Sequence, residues 1–245
     1  MRFRVLACDF DGTIATEGVV GPAAVAALRR VAASGRRLIL VTGRTRAQLD
    51  PLPACLGLFD VLVLENGALL VDLRGGEERL LCAPVSERLL AALRRRGVHP
   101  LVAGRAICAT HAGNQAAVLG AVREVGLPLG LILNRDQLMI LPAGVSKASG
   151  ARAALHLMGE SAAGCVAVGD AENDAALLDC MGCGIAVGDP PAALRAVADL
   201  VIGLPDGAAV SELAAHLVGD DLAGVLTGAA RKLPSGAPQI RPALS

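Results

Sequence analysis

Short aliphatic runs alternate with helix-like segments along most of this chain, and this alternation limits the possible folds more than any other feature of the sequence. In the first third, three runs predict buried strands, at 4–8, 37–41 and 60–64. The segment 22–34 between the first two strands predicts a helix. A second helix is predicted after residues 42–44, and it ends at about Cys55. Alternating strands and helices are typical of a parallel sheet that helices cover on both faces.

The middle of the chain departs from this pattern. A hairpin is predicted over 68–73 and 78–82, and a unit of one helix and two strands then occurs twice. The first unit has a helix at 86–96 and strands at 98–103 and 105–110. The second has a helix at 114–125 and strands at 129–133 and 137–141. Two helices beside four strands predict a small α+β insert with an antiparallel sheet.

Alternation returns after the insert. It predicts helices at 146–158, 172–181, 191–197 and 208–217, and strands at 164–168, 184–187 and 200–202. We therefore expect an α/β core domain formed by 1–82 and 145–218, and an α+β domain at 83–144. Residues 219–245 are rich in Gly, Pro and Ser, and they predict a flexible C-terminal tail.

Composition excludes several classes of protein. Of the 245 residues, 53% are hydrophobic and 19% are charged, which excludes an intrinsically disordered chain. No apolar stretch reaches the ~18 residues of a transmembrane helix, and the N-terminus meets Asp9 too early for a secretory signal. The net charge is zero and only three residues are aromatic, so we expect neither a nucleic acid nor a membrane as partner.

These features make a cytoplasmic protein the expectation, as a monomer or homodimer. The seven cysteines are scattered along the chain, as is usual for reduced thiols in a cytosolic protein. Cys180 and Cys183 have CxxC spacing, but no second pair of ligands accompanies them, so zinc is not expected.

Two carboxylates stand directly after the first predicted strand, in the sequence DFDGT at 9–13. The spacing of Asp9 and Asp11 lets both face one point, and Gly12 permits a sharp turn of the backbone. Such a pair suits Mg²⁺, which prefers oxygen ligands, and it also suits a nucleophile beside a proton donor. A polar loop with a helix cap is the alternative interpretation.

Two weaker signals lie at predicted helix starts. The segment at 42–44, Thr-Gly-Arg, offers a hydroxyl and free backbone N–H groups, which suit either a phosphate site or a simple N-cap. Lys147 and Lys232 are the only lysines among 23 basic residues. Lys147 could neutralise a phosphate oxygen or keep a nucleophilic carboxylate ionised, or it could simply be solvated.

The segment GDAEND at 169–174 places three acids and an Asn after a buried strand. Its side chains could complete a Mg²⁺ site opposite Asp9 and Asp11, or the acids could complement the dipole of a helix N-terminus. Ligands of parallel sheets bind at the carboxyl ends of the strands. The clusters at 9–11, 42–44 and 169–170 should therefore converge on one site under the insert.

Taken in order, these motifs resemble those of the haloacid dehalogenase-like (HAD) superfamily of phosphotransferases. DFDGT is similar to the first motif, Thr42 to the second, Lys147 to the third and GDAENDAAL from residue 169 to the fourth. The insert lies between the second and third motifs, as in the Cof-type subclass IIB with a C2 cap. The sequence Asn-Gly-Ala at 66–68 is similar to a turn of that subgroup. The resemblance, over residues 1 to about 218, implies a Rossmann-like parallel core.

The resemblance also implies a role for each motif residue. Asp9 would be the nucleophile that forms an aspartyl-phosphate, and Asp11 the general acid and base. Lys147 would join them in catalysis and would bind phosphoryl oxygens with Thr42 and Gly43. The implied cofactor is Mg²⁺, held by Asp9, Asp11 through its backbone carbonyl, and Asp170, with Asn173 and Asp174 close by.

The implied function is Mg²⁺-dependent hydrolysis of a small phosphomonoester, such as a sugar phosphate or a phosphoglycolate-like acid. Two alternatives stay open, a phosphomutase of the same superfamily and a non-catalytic regulatory module that binds phosphoesters. Phosphate release separates the hydrolase from both. The residues that could bind the far end of the substrate are Arg44, Asn66, Arg105, His111, Asn114 and Arg135. For those in the insert, a solvated surface role is the alternative interpretation.

Overall fold

The computed structural model describes residues 1–49, 55–134 and 136–226. They form a large sheet of eight strands and a small sheet of four, each with helices packed against it. The large sheet contains β1 (Val5–Asp9), β2 (Arg37–Val41), β3 (Val61–Leu64), β4 (Leu69–Asp72), β5 (Glu78–Leu80), β10 (Cys165–Gly169), β11 (Cys183–Val187) and β12 (Leu200–Ile202). The small sheet contains β6 (Val102–Ala103), β7 (Cys108–His111), β8 (Leu129–Asn134) and β9 (Gln137–Pro142).

Helices occupy most of the segments between the strands. They are α1 (Pro22–Ala33), α2 (Arg46–Leu49), α3 (Glu87–Arg95), α4 (Gln115–Val125), α5 (Lys147–Leu157), α6 (Ala175–Asp179), α7 (Ala192–Val197), α8 (Asp206–Asp220) and α9 (Ala223–Leu226). Within the described ranges, no helix is both long and apolar enough to cross a membrane.

The large sheet has the order β12-β11-β10-β1-β2-β3-β4-β5. Its first six strands are parallel, and the hairpin of β4 and β5 adds two antiparallel strands at one edge. The chain builds outward from β1 to β2 and β3, and later returns to place β10 on the other side of β1. The strand order therefore reverses between β1 and β10, which is where open α/β sheets form a ligand crevice.

Alternate residues of the central strands enter two separate cores. Leu6 and Cys8 of β1 face the helices α1 and α8, whereas Val5 and Ala7 face α5 and α6. All four side chains are fully buried. Burial on both faces explains why these strands appear in the sequence as unbroken aliphatic runs.

The small sheet is the α+β insert, with the antiparallel order β6-β7-β9-β8. Its helices α3 and α4 pack on one face, against Leu138 and Ile140 of β9. The opposite face presents Met139 and Leu141, which pack with Ile107 and with Ala68 of the large unit. The insert therefore covers the carboxyl edge of the parallel sheet, and the predicted α/β core with an α+β cap is confirmed.

Some predicted boundaries were wrong. The helix predicted over 172–181 is a 3-10 turn followed by the short helix α6, and the strand predicted over 98–103 is only the two residues of β6. The tail predicted from Gly219 starts too early, because α8 continues to Asp220 and Leu222 is fully buried in the core. Residues 50–54 of the predicted second helix and 227–245 of the predicted tail lie outside the described residues.

Candidate active site

Asp9, Lys147 and Asp174 form the centre of the site. Asp9 is the last residue of β1, and Lys147 is the first residue of α5. The Lys147 ammonium donates to Asp9 Oδ1 at 2.6 Å and to Asp174 Oδ1 at 2.7 Å. All three side chains are buried, so solvent screens the attraction within the two ion pairs only weakly.

The start of α5 is fixed by its cap. Ser146 and Ser149 form a reciprocal capping box, in which each side chain accepts from the other's backbone N–H. Beside it, Gly67 has a φ of 104°, and a Cβ there would lie 1.9 Å from the Ser146 carbonyl oxygen. Close backbone contact at a glycine thus sets the position from which Lys147 reaches Asp9.

The loop after β10 brings two more carboxylates to the same point. Asp174 Oδ2 accepts from the backbone N–H of Ala171 at 3.1 Å and of Asp170 at 3.3 Å. Gly169 leaves room for that carboxylate, because a Cβ there would lie 2.5 Å from its carboxyl carbon. Thr13 joins the two strands by donating towards Asp170 Oδ1 at 3.1 Å and Asp9 Oδ2 at 3.3 Å.

Asp9, Asp170 and Asp174 could together hold a metal ion. One carboxylate oxygen from each lies within 4.8 Å of the others. Three carboxylates and the ammonium of Lys147 leave two net negative charges when all are ionised, which suits a divalent cation. An all-oxygen donor set favours a hard ion such as Mg²⁺ over zinc or copper.

The pKa values respond to this concentration of charge. Burial raises the pKa of Asp9 to about 8, assisted by the Asp174 carboxylate and opposed by Lys147. Burial by itself would lower the pKa of Lys147, but the carboxylates of Asp174 and Asp9 outweigh it and raise that pKa. Lys147 is therefore a permanent cation, and the negative charge around Asp9 exceeds what Lys147 compensates.

Asp11 stands on the other side of Asp9 and is paired with Arg44. Arg44 donates from Nε to Asp11 Oδ2 at 2.8 Å and from Nη2 to Asp11 Oδ1 at 2.7 Å. The guanidinium lies over the Phe10 ring, 4.9 Å from its centroid. Bidentate pairing together with stacking fixes both side chains.

The Thr42–Arg44 loop follows β2. The Thr42 hydroxyl is buried and accepts from the backbone N–H of Arg44 at 3.1 Å. Met139 of the cap covers the loop, with its sulfur 3.3 Å from where a Cβ of Gly43 would lie. The loop therefore forms the floor of a cleft that the cap closes from above.

Asn66 lies behind the site. It is fully buried and does not line the cleft, whereas Asn173 does. Asn173 Nδ2 lies 3.5 Å from Asn66 Oδ1, at the limit of a hydrogen bond. Asn66 Nδ2 and Asn173 Oδ1 are buried with no partner among the described residues, so each keeps hydrogen-bonding capacity for a bound group or a water.

The cleft between the two units encloses about 590 Å³. The core contributes Asp9, Asp11, Thr42, Gly43, Arg44, Thr45, Gln48, Lys147 and Asn173 to its lining. The cap contributes Pro100, Val102, Gly104, Ile107, Ala109, Thr110, His111, Asn134, Asp136, Gln137 and Met139. The core side of the cleft carries the charged side chains of Asp9, Asp11, Arg44 and Lys147, and the cap side has both apolar and polar side chains.

Of the described cap residues predicted to bind the far end of the substrate, His111 lines the cleft, whereas Arg105 and Asn114 do not. His111 lines the cleft, with Nδ1 3.2 Å from Asp136 Oδ2. Arg105 is exposed and paired with Glu78, and Asn114 bonds within the cap to Thr110, so neither lines the cleft. Arg135 lies outside the described residues.

Sequence reasoning missed several residues of the cleft. Thr13 was visible inside the DFDGT motif, but its hydroxyl bridge between two strands depends on the pairing of β1 with β10. Ile107 and Met139 were part of ordinary strand patterns. Only the packing of cap against core shows that they face the site.

The comparisons with known proteins agree with this geometry. Residues 6–93 and 133–213 match the family model of haloacid dehalogenase-like hydrolases. The chain is 27% identical to phosphoglycolate phosphatase 2 of Saccharolobus solfataricus, over 85% of this chain and 90% of that protein. This relative is a phosphatase, which agrees with the predicted enzyme class.

Two solved structures share the fold. A haloacid dehalogenase-like hydrolase from Bacteroides thetaiotaomicron has a TM-score of 0.76 at 20% identity, over 88% of this chain and 99% of that chain. A sugar phosphatase of HAD subclass IIB has a TM-score of 0.67 at 20% identity, over 81% of this chain and 92% of that chain. The motifs that meet at the carboxyl edge of the sheet and the family match agree, and the chain belongs to the haloacid dehalogenase-like hydrolases.

Proposed function

We propose that this chain is a Mg²⁺-dependent phosphomonoesterase that hydrolyses a small phosphorylated metabolite through an aspartyl-phosphate on Asp9. One observation carries the proposal above the others. A buried carboxylate is held between a buried ammonium and two further carboxylates, at the floor of a cleft wide enough for a metabolite. In the proposed reaction, this arrangement would supply a nucleophile, a phosphate-binding cation and a divalent metal site together.

In the first step, Asp9 Oδ2 attacks phosphorus while the bond from phosphorus to the leaving oxygen breaks. Lys147, bonded to Asp9 Oδ1, neutralises charge on the phosphoryl oxygens together with the Thr42 hydroxyl and the loop N–H groups. Asp11 gives its proton to the leaving alkoxide. For that role at least one Asp11 oxygen must be released from Arg44, which holds both in the structure.

In the second step, Asp11 takes a proton from water, whose oxygen attacks phosphorus and breaks the bond to Asp9. Inorganic phosphate leaves and Asp9 is a carboxylate again. Asp9, Asp170 and Asp174, with the backbone carbonyl of Asp11, would hold Mg²⁺. When bound, Mg²⁺ supplies positive charge to the phosphoryl oxygens and offsets the repulsion between an anionic nucleophile and an anionic substrate.

The proposed substrate class is a sugar phosphate or a phosphoglycolate-like acid. Relatives named for both kinds of substrate support this range. The cleft of about 590 Å³ leaves room beyond the phosphate for a leaving group of several carbons. Thr45, Gln48 and His111 line that space and offer hydrogen bonds to hydroxyls.

The proposal is tested by phosphate release from sugar phosphates, phosphoglycolate, nucleotides and p-nitrophenyl phosphate, with and without Mg²⁺. We expect Mg²⁺-dependent release that Asp9→Asn lowers by about a thousandfold or more, because an amide is no nucleophile. Asp189→Asn is the matched control, since Asp189 is exposed and forms a surface ion pair with Arg195.

Full turnover by Asp9→Asn would overturn the mechanism. Isomerised sugar phosphate without phosphate release would instead identify a phosphomutase. Binding without turnover on every compound would identify a regulatory module.

A further inference from the structure

Glu65 is a buried carboxylate that the proposed chemistry does not use. It follows β3 directly, and its side chain is only 1% exposed. Three successive residues there have positive φ, with values of 52° at Glu65, 57° at Asn66 and 104° at Gly67. Left-handed backbone is unfavourable for a glutamate, so surrounding contacts must hold this turn in place.

Within the described residues, the hydrogen bonds of the Glu65 carboxylate come from the cap. Its Oε1 accepts from the backbone N–H of Arg105 at 2.9 Å. Its Oε2 accepts from the backbone N–H of Ala106 at 2.8 Å and of Ile107 at 3.2 Å. One core side chain thus satisfies three consecutive N–H groups of the cap loop before β7, which unpaired would be costly to bury.

Gly104 makes this contact possible. A Cβ at Gly104 would lie 2.6 Å from the carboxyl carbon of Glu65. The side chain cannot withdraw freely, because it is buried and bonded at both oxygens. The cap loop and Glu65 are therefore fitted to each other closely.

The backbone of the same turn hydrogen-bonds to the Thr42–Arg44 loop, which is the loop proposed to bind phosphate. The N–H of Glu65 donates to the Arg44 carbonyl at 3.0 Å, and the N–H of Asn66 donates to the Thr42 carbonyl at 2.9 Å. On the cap side, Gly104 and Ile107 line the cleft. Glu65 thus lies between the loop proposed to bind phosphate and the wall that faces the leaving group.

From this geometry we propose that Glu65 is a positioning residue, which fixes the 104–107 loop of the cap at a set distance from the Thr42–Arg44 loop and so determines how the leaving group is bound. The inference rests on the proposed phosphatase function. It predicts that loss of Glu65 affects leaving-group binding while the phosphate site on Lys147 and Thr42 stays intact.

The first test is Glu65→Gln, assayed with p-nitrophenyl phosphate, whose aryl group we expect to lie against the cleft wall that Gly104 and Ile107 help to line. A glutamine presents an NH₂ where an oxygen now accepts, so at least one loop N–H loses its partner. We expect KM to rise about tenfold and kcat to change less than about threefold. The Ki of inorganic phosphate as a competitive inhibitor should stay within about twofold of the wild-type value.

Glu78→Gln is the matched control. Glu78 bonds the same cap loop, but through the exposed side chain of Arg105, so its loss should leave KM unchanged. Gly104→Ala displaces the same contact from the cap side and should raise KM like Glu65→Gln. The double variant should show no further increase, because both changes break one contact.

Amide hydrogen exchange of the metal-free protein gives a readout that needs no activity. The N–H groups of Arg105, Ala106 and Ile107 should exchange about tenfold faster or more in Glu65→Gln, and unchanged exchange there would overturn the inference. Equal effects on KM and on the phosphate Ki would overturn it too, since that pattern indicates general damage. If the wild type hydrolyses nothing, the proposed function fails, while the exchange result still decides whether Glu65 holds the loop.

Discussion

At the scale of single residues, Asp9 carries the main electrostatic cost of the site. Burial raises its pKa to about 8 in the absence of a metal, and the nearby carboxylates of Asp174 and Asp170 add to this shift. A raised pKa in the folded state stabilises the metal-free protein at low pH, and that contribution is lost as the pH rises through about 8. A divalent cation bound to the ionised carboxylates should restore this stability at high pH.

We therefore predict that Mg²⁺ raises the melting temperature of the wild type more at pH 8.5 than at pH 6.5. At the lower pH the ion must displace a proton from Asp9, and this competition weakens binding. Thermal unfolding with and without saturating Mg²⁺ measures the difference. Asp9→Asn should make the increment nearly independent of pH, and an equal increment at both pH values in the wild type would contradict the prediction.

The residue scale also separates what the sequence could predict from what it could not. Asp9 and Lys147 were identified because a short motif and a rare lysine are visible in the chain itself. The pairing of Asp11 with Arg44 was not predicted, since it depends on a side-chain conformation across 33 residues. Glu65 was not predicted as a site residue, because the resemblance to a turn of the subgroup begins at Asn66, one residue after it.

At the scale of elements, the approach of α5 to β3 decides where Lys147 stands. Gly150, one turn into α5, would place a Cβ 2.4 Å from Val63 Cγ1 and 2.6 Å from the Cα of Gly67. Neither neighbour has room to yield, because both are buried. Two glycines thus let the helix lie closer to the sheet than side chains would allow.

We predict that Gly150→Ala moves α5 outward, lowers kcat/KM by about tenfold or more through Lys147 and costs about 1–3 kcal/mol of unfolding free energy. Steady-state kinetics and urea unfolding measure the two effects. Gly219→Ala is the control, because a Cβ there in α8 has no atom within 4 Å and should be neutral or slightly stabilising. A fully active, stable Gly150→Ala would refute this account of the helix position.

Elements differed in how well the sequence predicted them. The inner strands β1, β2 and β3 were predicted to within a residue, because burial on both faces leaves a continuous aliphatic run. The continuous helix predicted over 172–181 was wrong. The Asp174 carboxylate accepts from the backbone N–H groups of Ala171 and Asp170, and these bonds shape the first turn of the segment. Such local side-chain bonds compete with regular helix and leave no periodic signal.

At the scale of the whole molecule, the end of α8 is tied to the start of the chain. The Asp221 carboxylate accepts from the backbone N–H of Arg2 and, at 3.3 Å, of Phe3, and from Arg36 Nη2 at 2.8 Å. Although partial burial opposes the shift, these bonds lower the pKa of Asp221. Its contribution to stability is thus present at neutral pH and lost as the pH falls below about 4.

We predict that Asp221→Asn lowers the unfolding free energy by about 1 kcal/mol at pH 7. The difference from wild type should shrink in acid, as protonation removes the charge of the wild-type carboxylate. Because the contact lies at the amino edge of the sheet, far from Asp9 along β1, kcat/KM should not change. Urea unfolding at pH 7 and pH 3 measures the effect, and a difference that grows in acid would contradict the sign.

The reversal of strand order at β1 has a consequence for biosynthesis. Asp9 ends β1 and Asp170 directly follows β10, which is the neighbour of β1 in the sheet, yet more than half of the chain separates the two residues. If Asp9 is the nucleophile and the three carboxylates hold a metal, as proposed, a nascent chain emerging from the ribosome cannot complete this site until β10 and the turn to Asp174 have emerged and docked. Under that proposal, an incomplete polypeptide has no catalytic centre with which to attack cellular phosphoesters.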